Sequence, residues 1–173
     1  WAHYAAQGAA LLDHLKIERA HLMGGCMGCA PVVALAAAQP QRVISMILYW
    51  PVGGARYRIN GQQRFATHLA YVHQHGLDDV VALARASSKS FGEDPRGGPW
   101  VSVIRNDAAF AAAFARQNVD DYKLIVGGMC RALLDRDTAL GAEPEELMRL
   151  DIPALIVPGH DAAHATSAAR YLE

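Results

Sequence analysis

His21-Leu22-Met23-Gly24-Gly25-Cys26-Met27-Gly28-Cys29-Ala30 sets a cysteine in a Gly-x-Cys-x-Gly turn, between a strand expected over Ala20 to Gly24 and a helix expected over Met27 to Gln39. A side chain presented at so sharp a turn sits in strained backbone, and neighbouring glycines leave room for strand and helix to approach each other. Cys26 is the residue such a turn exposes. Its sulfur is expected at a helix N-terminus, where unpaired amides and the positive end of the helix dipole favour thiolate over thiol.

Outward from the turn, Pro31 falls in the first helical turn, where proline is tolerated, and the helix stops at Pro40. Val43 to Tyr49 is a nearly continuous apolar run bounded by Gln41-Arg42 and Trp50-Pro51, which reads as a parallel strand buried on both faces. Upstream, Trp1 to Leu15 has helical spacing, with Tyr4, Gly8, Leu11, Leu12 and Leu15 near one face. From Gly53 to about Leu150 the pattern is helical with Gly- and Pro-containing breaks, the candidates being Gln62 to His75, Leu77 to Ser88, Asp107 to Gln117, Val119 to Leu134 and Pro144 to Leu150. A short apolar strand is then expected within Ile152 to Gly159, followed by the loop His160 to His164 and a helix from Ala165. Strands alternating with helices predict an α/β fold with a parallel sheet of about three strands and an inserted all-helical segment. Three strands leave an unpaired edge, and the chain opens inside a helix without Met, so further strands are expected before Trp1 and after Glu173.

The 173 residues are 52% hydrophobic and 19% charged, a balance that belongs with globular domains and excludes disordered and fibrous classes. Sixteen basic and seventeen acidic side chains, with no dense basic block, leave no electrostatic footprint for nucleic acid. No apolar run reaches the roughly 18 residues that span a bilayer, and the start lacks a signal-peptide pattern, so the reading expects no membrane association and a cytoplasmic location. Three cysteines, Cys26, Cys29 and Cys130, are too few and too odd in number for a disulfide scaffold.

These elements together resemble the α/β-hydrolase family, in its form with an inserted helical cap. The elbow Gly24 to Gly28, the Pro40-Gln41-Arg42-Val43 approach to the next strand, the cap-length insertion and the strand leading to Asp161 carry the resemblance in order along most of the chain. It implies core residues 1–52, a helical cap at 53–150 and a second core part at 151–173. It also implies that Cys26, where most members have Ser, attacks a carbonyl, and that the Met27 backbone N–H supplies one oxyanion donor. Asp161 matches the acid that orients the histidine, and the alternative acid position is filled by Trp50-Pro51, which cannot serve. The family histidine is expected beyond Glu173, with His164 as a local stand-in, and the second oxyanion donor before Trp1. The implied activity is hydrolysis of a small, largely apolar ester, lactone or thioester through a Cys26 thioester, without a cofactor or metal.

Other readings of the same residues stand beside this one. A relative that lacks part of the machinery would keep a pocket for a small molecule or partner, and bare sheet edges make a homo-oligomer an open expectation. Cys26-x-x-Cys29 at a helix start is also the spacing of a redox pair, although Cys29 alone reads as a small packing residue. His160 and His164 have metal-ligand spacing but no identifiable third ligand. His68, His73 and His75 read as solvated or capping residues. Glu143, Glu145 and Glu146 fall at a helix start, where negative charge is favourable. The aromatic residues of the helical segment, among them Phe65, Phe91, Trp100, Phe114 and Tyr122, read mostly as its core.

Overall fold

The computed structural model describes residues 1–136 and 140–173. They form two compact units, one made of residues 1–58 and 136–173 and the other of residues 59–135.

In the first unit, helix α1 (Ala2–His14) leads to strand β1 (Ala20–Gly25), a 3-10 turn at Cys26–Gly28 and helix α2 (Cys29–Ala38). Strand β2 (Val43–Tyr49) follows, and strand β3 (Ala154–Val157) joins it from the far end of the chain. The sheet is parallel in the order β1-β2-β3, with Gly25 opposite Tyr49 and Tyr49 opposite Val157 at its C-terminal edge. Arg42 fixes the entry to β2, since its guanidinium donates to the Glu18 and Ile17 carbonyls and pairs with Asp13 at 2.8 Å.

Helix α2 is apolar all round because it is buried on two sides. Cys29, Val33 and Ala36 pack on the sheet with Val43, Met46 and Leu48, while Ala34 and Leu35 pack on α1. The α1 face that enters this contact is Ala5, Ala9 and Leu12, and this corrects the expected face: Tyr4, Leu11 and Leu15 are exposed. Small residues let two helices approach closely, and a Cβ on Gly8 would already press on Leu35. Strand β2 is likewise covered less evenly than its apolar run predicts. Met46 and Leu48 are buried, whereas Ile44 and Tyr49 are each 37% exposed. Met46 and Leu48 meet α2, and each side chain so buried contributes roughly 1.5–3 kcal/mol.

The second unit is helical, and among the described residues no strand interrupts it. Helix α3 (Ala55–Ala86), which begins in the first unit, is broken at Gly76, whose φ of 77° lies in the left-handed region. That break falls between the two helices expected from the sequence. Helix α4 (Val101–Asn106), absent from the sequence reading, precedes α5 (Ala108–Ala115) and α6 (Val119–Leu134). Side chains cap two of these helices: Asp107 accepts from the Phe110 N–H, and Asn118 from the Asp120 and Asp121 N–H groups.

His68 is fully buried in this unit, which overturns its reading as a solvated residue. Its Nδ1 lies 2.9 Å from the Arg96 carbonyl, which can only accept, so Nδ1 carries the proton and Nε2 accepts from the Tyr122 hydroxyl at 2.6 Å. Phe91 and Tyr122 pack edge-on to its ring, and Phe114 packs edge-on to Tyr122. Burial pushes the His68 pKa down and so favours the neutral imidazole.

Two short helices complete the first unit, α7 (Pro144–Leu147) and α8 (Thr166–Arg170). The acidic start of α7 is a capping box in which Glu143 and Glu146 exchange side-chain and backbone hydrogen bonds.

Candidate active site

Strand β1 ends at Gly25, and the next residue, Cys26, has a φ of 54°. A residue with a Cβ seldom adopts that conformation. It turns the chain from the sheet into the 3-10 turn and leaves the Cys26 side chain exposed. Two of the three glycines are sterically required. A Cβ on Gly24 would run into the Gly28 carbonyl, and one on Gly25 into the Tyr49 ring, whereas one on Gly28 would meet open space.

The loop after β3 comes to the same place. Asp161 Oδ1 accepts from the backbone N–H groups of Ala163 and His164 at 2.8 and 2.9 Å, which closes a tight turn. Gly159 permits that turn, because a Cβ there would collide with the Cβ of His164. The turn is tied to the segment after β2 by a bridge between Gly53 and His164 and by the Gly53 N–H donating to the Ala163 carbonyl at 3.1 Å. Gly54, with a φ of 92°, lies where a Cβ would press on Ala165.

The result is a continuous chain of hydrogen bonds. The His164 Nδ1–H donates to the Asp161 carboxylate at 2.8–2.9 Å, and His164 Nε2 lies 3.1 Å from Cys26 Sγ. The hydrogen bond from His164, reinforced by the two backbone N–H groups, holds the Asp161 carboxyl down at about 2. The carboxylate is therefore ionised well into the acidic range and fixes the imidazole with Nε2 facing sulfur. A thiol, an imidazole and a carboxylate thus stand in line within hydrogen-bond reach, all drawn from the first unit.

The other residues singled out from the sequence fall around this arrangement. Met27 is half-buried, and its Sδ accepts from the Tyr57 hydroxyl at 3.6 Å. His160 is exposed. Cys29 is buried in the sheet-facing core, where its thiol donates to the Gly24 and Tyr49 carbonyls at 3.3 and 3.5 Å. Burial, and then the neighbouring Cys26, push the Cys29 thiol up to about 11. It is a poor nucleophile there, which weighs against a redox pair. Trp50, noted in the sequence only as filling the alternative acid position, has its ring 6.3 Å from that of His164. The Gly53-Gly54 pair just after β2 was the available signal that another loop approaches there.

No family model and no curated protein matches the chain. Solved structures do. MGS-M2, an α/β-hydrolase enzyme from a Medee basin deep-sea metagenome library, aligns at 16% identity over 97% of this chain and 57% of its own, with a TM-score of 0.53. The chain has the α/β-hydrolase fold. Two further structures with TM-scores of 0.53 and 0.52 agree. One is the 2-hydroxy-6-oxo-6-phenylhexa-2,4-dienoate hydrolase from Rhodococcus sp. strain RHA1, 23% identical over 97% of this chain and 56% of its own. The other is Est816, described as an N-acyl homoserine lactone degrading enzyme, 20% identical over 99% of this chain and 61% of its own. The chain thus spans less than two thirds of the length of these α/β-hydrolase structures. Among the described residues no helix is long and apolar enough to cross a membrane.

Proposed function

We propose that the chain is a hydrolase that cleaves a small, largely apolar ester, lactone or thioester through a Cys26 thioester. The observation that carries this reading is the Cys26–His164–Asp161 hydrogen-bond chain at 3.1 and 2.8–2.9 Å, set on a strained residue at the end of a parallel strand. Cys26 Sγ attacks the carbonyl carbon, and its proton passes to His164 Nε2. The bond to the leaving group then breaks, and the leaving atom takes the proton from Nε2. Water attacks the thioester next and gives its proton to Nε2. The carboxylic acid departs as the S–C bond breaks, and the proton returns to sulfur. Asp161 stabilises the imidazolium in both halves. The Met27 N–H, directly after the nucleophile, is the oxyanion donor in this reading, and the helical segment between the two core parts is the cap. The lactone-degrading activity named for Est816 supports placing cyclic esters within the substrate class.

The test is the intact mass of the chain after brief exposure to an activated aryl ester. One acyl adduct is expected on the wild-type chain and none on Cys26→Ala. On His164→Ala the adduct forms about 100-fold more slowly. A wild-type chain without adduct, or an adduct that persists in Cys26→Ala, overturns the reading.

A further inference from the structure

The strained conformation of Cys26 is repeated one strand away. Gly25 is paired with Tyr49, so the residues that follow them, Cys26 and Trp50, leave the sheet side by side, with φ of 54° and 53°. Trp50 keeps its backbone in the ladder by donating its N–H to the Val157 carbonyl at 2.8 Å. The residue nevertheless stays 53% exposed. The ring stands 6.3 Å from the imidazole of His164, tilted by 53°, and 6.2 Å from the ring of Tyr49. An aromatic residue held in a sparsely populated backbone conformation, and left in solvent, contributes little to the core. Strain of this kind accumulates where a side chain is aimed at a ligand.

We propose that Trp50 is the specificity residue for the leaving group, forming a wall that favours a planar, unsaturated or aromatic alcohol or thiol over a saturated one. This rests on the thioester reading above and names the side of the substrate that the chain recognises. His164 Nε2 must reach the leaving atom to protonate it as the C–O or C–S bond breaks. The group carried by that atom therefore lies beside the imidazole, whose ring centroid is 6.3 Å from that of Trp50. Planar groups pack on an aromatic ring in offset or tilted arrangements that a saturated group of similar size cannot match.

Phenyl acetate and hexafluoroisopropyl acetate test the proposal, because both deposit the same acetyl group on Cys26 and differ only in the alcohol released. Acylation rates are read from the mass of the adduct in the whole chain. The wild-type preference for phenyl acetate is expected to fall about tenfold in Trp50→Ala and to be kept in Trp50→Phe. Trp50→Gly, which accepts the positive φ without strain, shows the same loss and serves if the alanine variant does not fold. A preference unchanged in both Trp50→Ala and Trp50→Gly overturns the proposal, and so does a fall that Trp50→Phe fails to restore. Acetylation that survives Cys26→Ala overturns instead the thioester reading beneath it.

Discussion

A methyl group added at Gly24 would strike the Gly28 carbonyl, while one added at Gly28, two residues beyond Cys26, would meet open space. Gly28 also has an ordinary φ of −66°, so it needs none of glycine's freedom. Gly28→Ala is therefore expected to hold stability within about 0.5 kcal/mol or raise it slightly, since the unfolded chain loses freedom. Gly24→Ala forces backbone apart and is expected to cost about 1–3 kcal/mol. Urea denaturation of the two variants, read beside the rate of Cys26 acylation, checks both. Equal losses would mean that the turn depends on glycine for something other than space. The Gly-x-Cys-x-Gly pattern identified the position of Cys26 because local backbone geometry limits what can stand there. His164 was harder to place, because its approach to sulfur depends on the turn closed by Asp161 and on the bridge to Gly53, more than a hundred residues distant in the chain. Neither contact leaves a periodic trace in the sequence.

Elements followed the local pattern where one residue type dominated. Strand β2 occupies the whole apolar run Val43–Tyr49, and Gly76 breaks α3 where the spacing changes. The pattern failed where the partner decided the outcome. Helix α1 turns its alanines to α2, whose Ala34 and Leu35 accept their close approach, and leaves Tyr4 and Leu11 in solvent. Histidine on a polar helix, as at His68 in α3, suggests solvent until the aromatic rings of Phe91 and Tyr122 are folded over it. That burial has a pH consequence for the helical unit. The pKa of His68 is lower in the folded chain than its ordinary value near ~6.5, so the unfolded chain binds the proton more readily. Stability from the neutral imidazole is full above about pH 6.5 and is lost as the pH falls from there toward the depressed folded value. Tyr122→Phe removes the donor to Nε2 and is expected to cost about 1–3 kcal/mol near neutral pH. Urea midpoints for wild type and variant at about pH 7.5 and about pH 5.5 decide it, and equal midpoints at the two pH values would sink the argument.

At the scale of the molecule, the sheet-facing core collects residues from both ends of the chain. Leu22, Val33, Met46 and Leu48 come from one end, and Ala142, Leu147, Ile152 and Leu172 from the other. Leu48 is 1% exposed and stands in the row Gly24–Leu48–Ile156, one step back from the edge where Gly25 and Tyr49 lead into Cys26 and Trp50. A domain of this size is held by about 5–15 kcal/mol in all, so one cavity in that row is a large fraction of the total. Leu48→Ala is expected to cost about 2–5 kcal/mol, against less than about 1.5 kcal/mol for Ile44→Ala, whose side chain is 37% exposed. The same cavity should reach the site, since Cys26 and His164, 3.1 Å apart, follow strands β1 and β3, which flank β2 in this sheet. Acylation of Cys26 in Leu48→Ala should then fall in step with the folded fraction as urea is added, at a midpoint displaced by the lost stability. If the acylation midpoint stayed at the wild-type urea concentration while the sheet unfolded earlier, the geometry of the site would have to be held by the loops alone.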